Sequence, residues 1–391
     1  MSMYQDLGID PSKQSVREIF EKLIDNEYKG AFVNIISDPF CDNRVLTQHQ
    51  DGDGSKFIQR MIHYLETGNE QIFYGMADDA LSMNSGDIAA SGFIFGPWVI
   101  TDVLNLNLPK EIKNLVMKAV AVRLLELREI YKQHDFNLKF LGGETADLPD
   151  QVKSGVFDIA ITAWADKSDL ISGNTKAGDV IFGFASDGQA MWEESPNSGI
   201  MSNGLTLARS CLMNKSYNEK YPQLKRDGNF YKGMFNYNDY PDRLDGMSVG
   251  EALLSPTRQW AIVIKILVSL LKEKNALHML HGISMNTGGG ATKIANVGRG
   301  GLLYVKDMPE PPPFFRLIKE ESGEIWKNMY QSFNCGVGID VVGEDDKIFI
   351  DAVGETSELS TVVNYYLGRV HEGNPGANQV ILTTPYGGFS Y

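Results

Sequence analysis

Apolar residues fall into two kinds of pattern along this chain. Over 12–28, Val16, Ile19, Phe20, Leu23 and Ile24 stand at the spacing of a helix with one buried face. Over 110–133, Ile112, Leu115, Val116, Ala119, Val120, Leu124, Leu127 and Tyr131 form a longer stripe, with Lys, Glu and Arg on much of the other face. A further helix is expected over 258–274, with Thr257 near its start. Short β-branched runs predict strands at 32–36, 159–163, 180–184, 302–305, 337–342 and 380–383. Helices mixed with strands indicate an α+β or α/β architecture.

The polar, turn-rich stretch 168–179 lies between two strand runs. It divides the chain into an expected domain over 1–172 and another over 173–391. A second irregular stretch, 215–243, is rich in Tyr, Asn and Asp. It reads as a long loop or insertion, expected to cover a cleft. The prolines of 309–313 predict a stiff, extended connector.

Composition narrows the function. Of 391 residues 43% are hydrophobic, enough to build real cores. The formal charge of −14 repels phosphate backbones, so nucleic acid is not an expected partner. Phosphates must then be bound locally, by backbone N–H groups, a few cations or a metal. Cys41, Cys211 and Cys335 are too scattered for a disulfide framework or a thiolate zinc site, and a cytoplasmic setting is expected. No secretory signal is visible at the N-terminus. The longest apolar segment, 260–271, is broken by Lys265 and is too short to span a membrane.

Candidate chemistry sits in glycine and carboxylate clusters. Asp51-Gly52-Asp53-Gly54-Ser55-Lys56 could cradle a metal-bound phosphate, or simply make a hairpin turn. Asp87, in Met83-Asn84-Ser85-Gly86-Asp87, needs a partner or metal in its small-residue surroundings, or else caps a helix. Gly142-Gly143-Glu144-Thr145-Ala146-Asp147 suits metal or phosphate binding, or a turn with an N-cap. Ser202-Asn203-Gly204 precedes a helix start and could present N–H groups to an anion, or be a capped helix without a ligand. Thr287-Gly288-Gly289-Gly290 means a flexible turn or a close backbone approach. Cys335, in Phe333-Asn334-Cys335-Gly336-Val337-Gly338, reads as a buried small hydrophobe. His278 and His281 read as structural.

The order of these clusters resembles the aminoimidazole ribonucleotide synthetase family. Tyr4-Gln5-Asp6-Leu7-Gly8-Ile9-Asp10 and Leu254-Ser255-Pro256-Thr257-Arg258 extend the resemblance over nearly the whole chain. Gly142-Gly143-Glu144-Thr145-Ala146 is shared more widely, with selenophosphate synthetases and thiamine-phosphate kinases among others. Such an enzyme, or a non-catalytic nucleotide-binding paralogue, is the alternative reading. Departures are Gly86 where the family has Asn, Pro97 two positions late, and Met201 where it has His, after an insertion over 189–200.

The resemblance implies a two-domain synthetase. Its N-terminal mixed sheet would complete a barrel across a homodimer, beside a C-terminal α/β domain. It implies ATP- and Mg²⁺-dependent closure of formylglycinamidine ribonucleotide to aminoimidazole ribonucleotide. Carried over, Asp51, Asp87 and Glu144 would be the metal acids, with Lys56, Asp87 and Glu144 catalytic. Asp51, Gly52, Gly54, Ser55, Lys56, Gly142 and Gly143 would bind ATP phosphates. Ser202, Asn203, Gly204, Thr257, Gly288, Gly289 and Gly290 would line the ribonucleotide side.

Overall fold

The computed structural model describes residues 3–8 and 19–391. Two mixed sheets organise it. The first contains β1 (Ile36–Ser37), β2 (Arg44–Gly52), β3 (Pro97–Leu106), β4 (Asn137–Asp147) and β5 (Gly155–Asp166), in the order β1-β2-β5-β3-β4. Only β3 and β4 run parallel. Beyond Val180 come β6 (Val180–Ala185), the ribbon β7 (Asp187–Gly188) with β8 (Asn197–Ser198), β9 (Leu280–Met285), β10 (Leu302–Asp307), β11 (Val337–Gly343), β12 (Asn364–Glu372), β13 (Gln379–Thr384) and β14 (Gly387–Ser390). Apart from the ribbon they form a second sheet, ordered β14-β13-β10-β12-β6-β11-β9. The α+β/α/β expectation holds.

Helix α1 is Lys56–Thr67, and α2 is Tyr74–Ala89. The amphipathic stripe becomes α3, Lys110–Gln133, burying Val116, Ala119, Val120, Leu127 and Tyr131. Next come α4 (Leu205–Leu212), α5 (Val249–Leu254), α6 (Trp260–Glu273) and α7 (Lys347–Ser360). Helix α2 packs against β2, α3 and α6 and has almost no exposed residue. With no solvent face to fill, it has no polar stripe, so no helical period announces it.

One local expectation fails, and a second is met, among the described residues, only at Ile19 and Phe20, which are helical. The segment 32–36 is no strand: only Ile36 and Ser37 pair with β2. Side chains take its backbone donors instead. Val33 N donates to Ser91 Oγ at 3.1 Å and Ile35 N to Asn26 Oδ1 at 3.2 Å. The helix expected over 12–28 lies partly outside the described residues; within them it tightens into a 3₁₀ turn, Glu21–Leu23, and stops. Ile19, Phe20, Leu23 and Ile24 are exposed rather than packed.

The segment 215–243 is irregular but not loose. Tyr217, Tyr231 and Tyr237 are each 1% exposed. The Tyr237 hydroxyl donates to Gln59 Oε1, whose own amide nitrogen donates to Tyr231 Oη at 3.2 Å. Tyr237 also stacks on His63 with centroids 5.2 Å apart. The segment thus straps α1 from outside. Tyr237→Phe leaves a buried acceptor on Gln59 unpaired and should cost about 1–3 kcal/mol. Tyr240→Phe, at an exposed ring, should stay within about 0.5 kcal/mol of the parent. Urea denaturation of the two variants checks this; equal costs would remove the strap.

Candidate active site

The junction between the two halves is built on Asp79, a fully buried residue of α2. A buried carboxylate must be neutralised and hydrogen-bonded. Its Oδ1 accepts from Lys56 Nζ at 2.9 Å, from Thr257 N and Oγ1 at 2.7 Å each, and from Ser202 Oγ at 3.1 Å. Its Oδ2 accepts from Arg60, on α1. Burial pushes Asp79 up, but Lys56 and Arg60 outweigh it and hold the carboxyl below its usual range. Neighbouring Asp53 is fully buried with both carboxyl oxygens unpartnered, and burial raises it well above the carboxylate range.

This network corrects the role expected of Lys56. The side chain is 0% exposed, and its ammonium is shared between Asp79 and the Ser255 carbonyl, the latter at 2.7 Å. It is a counter-ion rather than a free phosphate ligand. Burial lowers its pKa to about 8 against the pull of Asp79, and repulsion from the Arg60 guanidinium adds to the fall.

The residues expected on the ribonucleotide side do converge. Ser202 and Thr257 touch each other at 3.1 Å. Gly204 caps α4 at φ +74°, where a side chain would run into the Phe333 ring. Gly288, Gly289 and Gly290 all have positive φ, at +49°, +138° and +56°. Only glycine adopts such a run of positive φ without strain. Asn203 Oδ1 would sit 3.5 Å from a Cβ on Gly288, and Asn203 Nδ2 is buried without a partner. Gly290 backs onto the Phe333 carbonyl.

The expected metal acids are only partly gathered. Asp87 lies in the last turn of α2, so it is no N-cap. Its Oδ2 is 3.3 Å from His49 Nε2, while its Oδ1 is buried and unpartnered. Burial opposes charge on His49, but Asp87, Asn84 and Asp51 raise it to about 9. His49 and Asp51 lie two apart on β2 and so share a face. Register then runs Asp51↔Ile159↔Asp102↔Gly143 across the sheet. Glu144 pairs with Val103, in the row of Asp158, and so belongs to the opposite face. Its cluster is part of strand β4 and not a turn with an N-cap. Among the described residues no group of three or more His, Cys, Asp or Glu is placed to hold a metal. Asp51 with Asp87 fits a hard cation in part, through the orphaned Asp87 oxygen; Glu144 does not join them within one chain. Gly52, Gly54 and Ser55 form the β2–α1 turn, with Gly54 at φ +59°. Gly142 is exposed on β4.

Sequence reasoning missed Asp79, His49 and Asp102. Asp79 sits in a helix without a period, and Asp102 lies on a strand that no β-branched run marked. The sequence signals near the hub were its partners, Lys56, Ser202 and the Thr257-Arg258 motif, and not Asp79 itself. A cleft of about 940 Å³ opens beside it, lined by Arg60, Asp78, Arg123, Trp192, Thr257 and Arg258 among others. Thr257 is the one expected site residue that it reaches.

The arrangement of two mixed sheets is a fold met in several solved structures. A HypE–HypF complex aligns with TM-score 0.53 at 15% identity, covering 97% of this chain and 98% of that one. A thiamine-monophosphate kinase from Stenotrophomonas maltophilia gives 0.51 at 14%, covering 90% and 92%. Thermotoga maritima PurL complexed with FGAR gives 0.52 at 11%, covering 96% of this chain and 49% of that one. These likenesses establish the fold. No protein-family model matches. Over most of its length the chain is similar to proteins named phosphoribosylformylglycinamidine cyclo-ligase. It is 28% identical to that of Methanocaldococcus jannaschii over 355 residues, covering 88% of this chain and 86% of the relative. The Methanococcus vannielii protein is 27% identical over 384 residues, covering 95% and 93%, and the Lactobacillus acidophilus protein 28% over 347, covering 86% and 84%. Among the described residues no helix is long and apolar enough to cross a membrane.

Removing one partner from a buried charge cluster strands the others. Asp79→Asn should therefore lower folding stability by about 3–5 kcal/mol, read by urea denaturation. The depressed Lys56 gives a pH signature. Its folded pKa is about 8 against 10.5 unfolded, so its contribution is complete above 10.5 and is lost as pH falls through 8. Between those limits wild-type stability should rise with pH relative to Lys56→Met. Parallel stability profiles for the two proteins would refute the assignment.

Proposed function

We propose that this protein closes the imidazole ring of aminoimidazole ribonucleotide, consuming ATP and formylglycinamidine ribonucleotide and releasing ADP and phosphate. The observation that carries the reading is the meeting of Ser202 and Thr257, far apart in sequence, on Asp79, with Gly288 beside Asn203, the residue after Ser202. The cyclo-ligase relatives match over most of the chain and supply the reaction.

An amide oxygen is a poor leaving group. Transfer of the γ-phosphoryl of ATP to the formyl oxygen makes an iminophosphate. The amidine nitrogen then attacks that carbon, the ring closes, and the carbon–oxygen bond breaks to expel phosphate. No protein nucleophile is needed; positioning and charge neutralisation carry the chemistry. The N–H groups of Gly288, Gly289 and Gly290, with Asn203 Nδ2, receive the substrate phosphate. Ser202 and Thr257 orient the ribonucleotide from the hub. Gly54 and Ser55 would offer backbone donors to ATP phosphates, whereas the Gly52 N–H is given to Asp51 Oδ1 at 2.8 Å, and Gly142 and Gly143 lie on edge strand β4, separated from β2 by β5 and β3. Asp51 and Asp87 would hold Mg²⁺, which supplies charge neutralisation across the triphosphate when bound. Glu144, on exposed edge strand β4, would join them only across a homodimer in which the first sheets of two chains meet. In this reading 1–172 forms the ATP and dimer domain and 173–391 the substrate domain.

The decisive assay mixes purified protein, Mg²⁺, ATP and formylglycinamidine ribonucleotide. The expected outcome is ADP release with aminoimidazole ribonucleotide formed in equal amount, and rescue of a purine auxotroph lacking this step. ATP binding without ADP release would leave a non-catalytic paralogue. Asp87→Asn should slow ADP release by about 10²-fold; a near-normal Mg²⁺-dependent rate would remove Asp87 from the metal set.

A further inference from the structure

The stretch 189–200, read from the sequence as an insertion, ends two residues before Ser202. They do not form a free loop. The ribbon β7–β8 folds the stretch back, pairing Asp187 with Ser198 and Gly188 with Asn197. Its polar side chains then turn toward the segment containing Thr257. Glu193 grips the Arg258 guanidinium with both oxygens, Nε to Oε1 at 2.8 Å and Nη2 to Oε2 at 2.9 Å. Arg258 also donates to the Ala185 carbonyl at 2.6 Å and, at 3.1 Å each, to those of Asp187 and Gly188. Asn197 Nδ2 donates to the Pro256 carbonyl at 2.7 Å, and Ser198 N to Ser255 Oγ at 3.1 Å. From the other side, Ser82 of α2 donates to the Arg258 carbonyl.

Residues 255, 256 and 258 are therefore all held, and Thr257 between them has little freedom. The Arg258 side chain is 1% exposed, so its charge must be compensated where it lies, and Glu193 is the carboxylate that does so. We propose that Glu193 is a positioning residue: its grip on Arg258 fixes Thr257 against Asp79 and thereby sets the ribonucleotide-side geometry. The insertion would be a latch built onto the site. The substrate part of this inference rests on the functional reading above, whereas the latch itself does not.

Glu193→Gln keeps the shape and removes the charge. Asn197→Asp removes the donor to Pro256 without touching Arg258, and serves if the first variant folds poorly. In ligand-free protein, amide exchange of the 255–259 peptide should become about ten-fold faster in either variant, while peptides of β12 and β13 keep their parent rates. With substrate, KM for formylglycinamidine ribonucleotide should rise by about ten-fold, and KM for ATP should stay within about two-fold. Unchanged exchange in both folded variants overturns the latch, whether or not the parent protein turns over substrate. Faster exchange with unchanged KM, or an equal rise in both KM values, overturns the positioning role. A parent protein that releases no ADP defeats the functional reading, and the exchange experiment still decides the latch.

Discussion

One buried carboxylate ties the molecule together. Asp79 sits in a helix with almost no exposed residue, where an ionised group is tolerated only if every lone pair is used. It draws Lys56 and Arg60 from α1 and Ser202 and Thr257 from the second half of the chain. The hub therefore does more than neutralise a charge. It fixes the approach of the loops that carry Ser202 and Thr257 to the helix that also carries Asp87. Lys56 is consumed in this role, which is why a lysine in a glycine-rich turn does not reach outward to phosphate.

The alternation of a β-strand governs the acids in the same strict way. Successive side chains point to opposite faces, so a difference of one register position separates two carboxylates as effectively as distance. Asp51 and Asp102 share a row through Ile159, and His49 and Asp87 lie with Asp51. Glu144, one position beyond Gly143, belongs to the other face of an exposed edge strand. A set of acids complete within one chain would need a different register. A set completed between two chains needs only that β4 meet a neighbour.

Two segments with little regular structure stabilise this arrangement from behind. The tyrosines of 215–243 bury themselves on α1, whose Lys56 and Arg60 enter the hub. The 189–200 insertion grips the residues on either side of Thr257. Both are irregular in backbone yet rich in buried hydrogen bonds, which distinguishes them from mobile loops.

The sequence by itself determined the elements whose pattern is local. Helix α3 was legible over its full length because one face is wet, and the strands at β5, β6, β10, β11 and β13 because β-branched runs stand between turn residues. The turns at 202–204 and 288–290 were legible because glycine and asparagine turns mark themselves by composition. Tertiary structure alone decided the rest. Helix α2 is hidden because burial on every side erases its period, and with it went Asp79. The segment 32–36 looked like a strand, but its donors go to Asn26 and Ser91, partners no periodicity can foretell. Where Lys56 points and which face Glu144 takes depend on partners and register set by the folded whole, which no local window of residues contains.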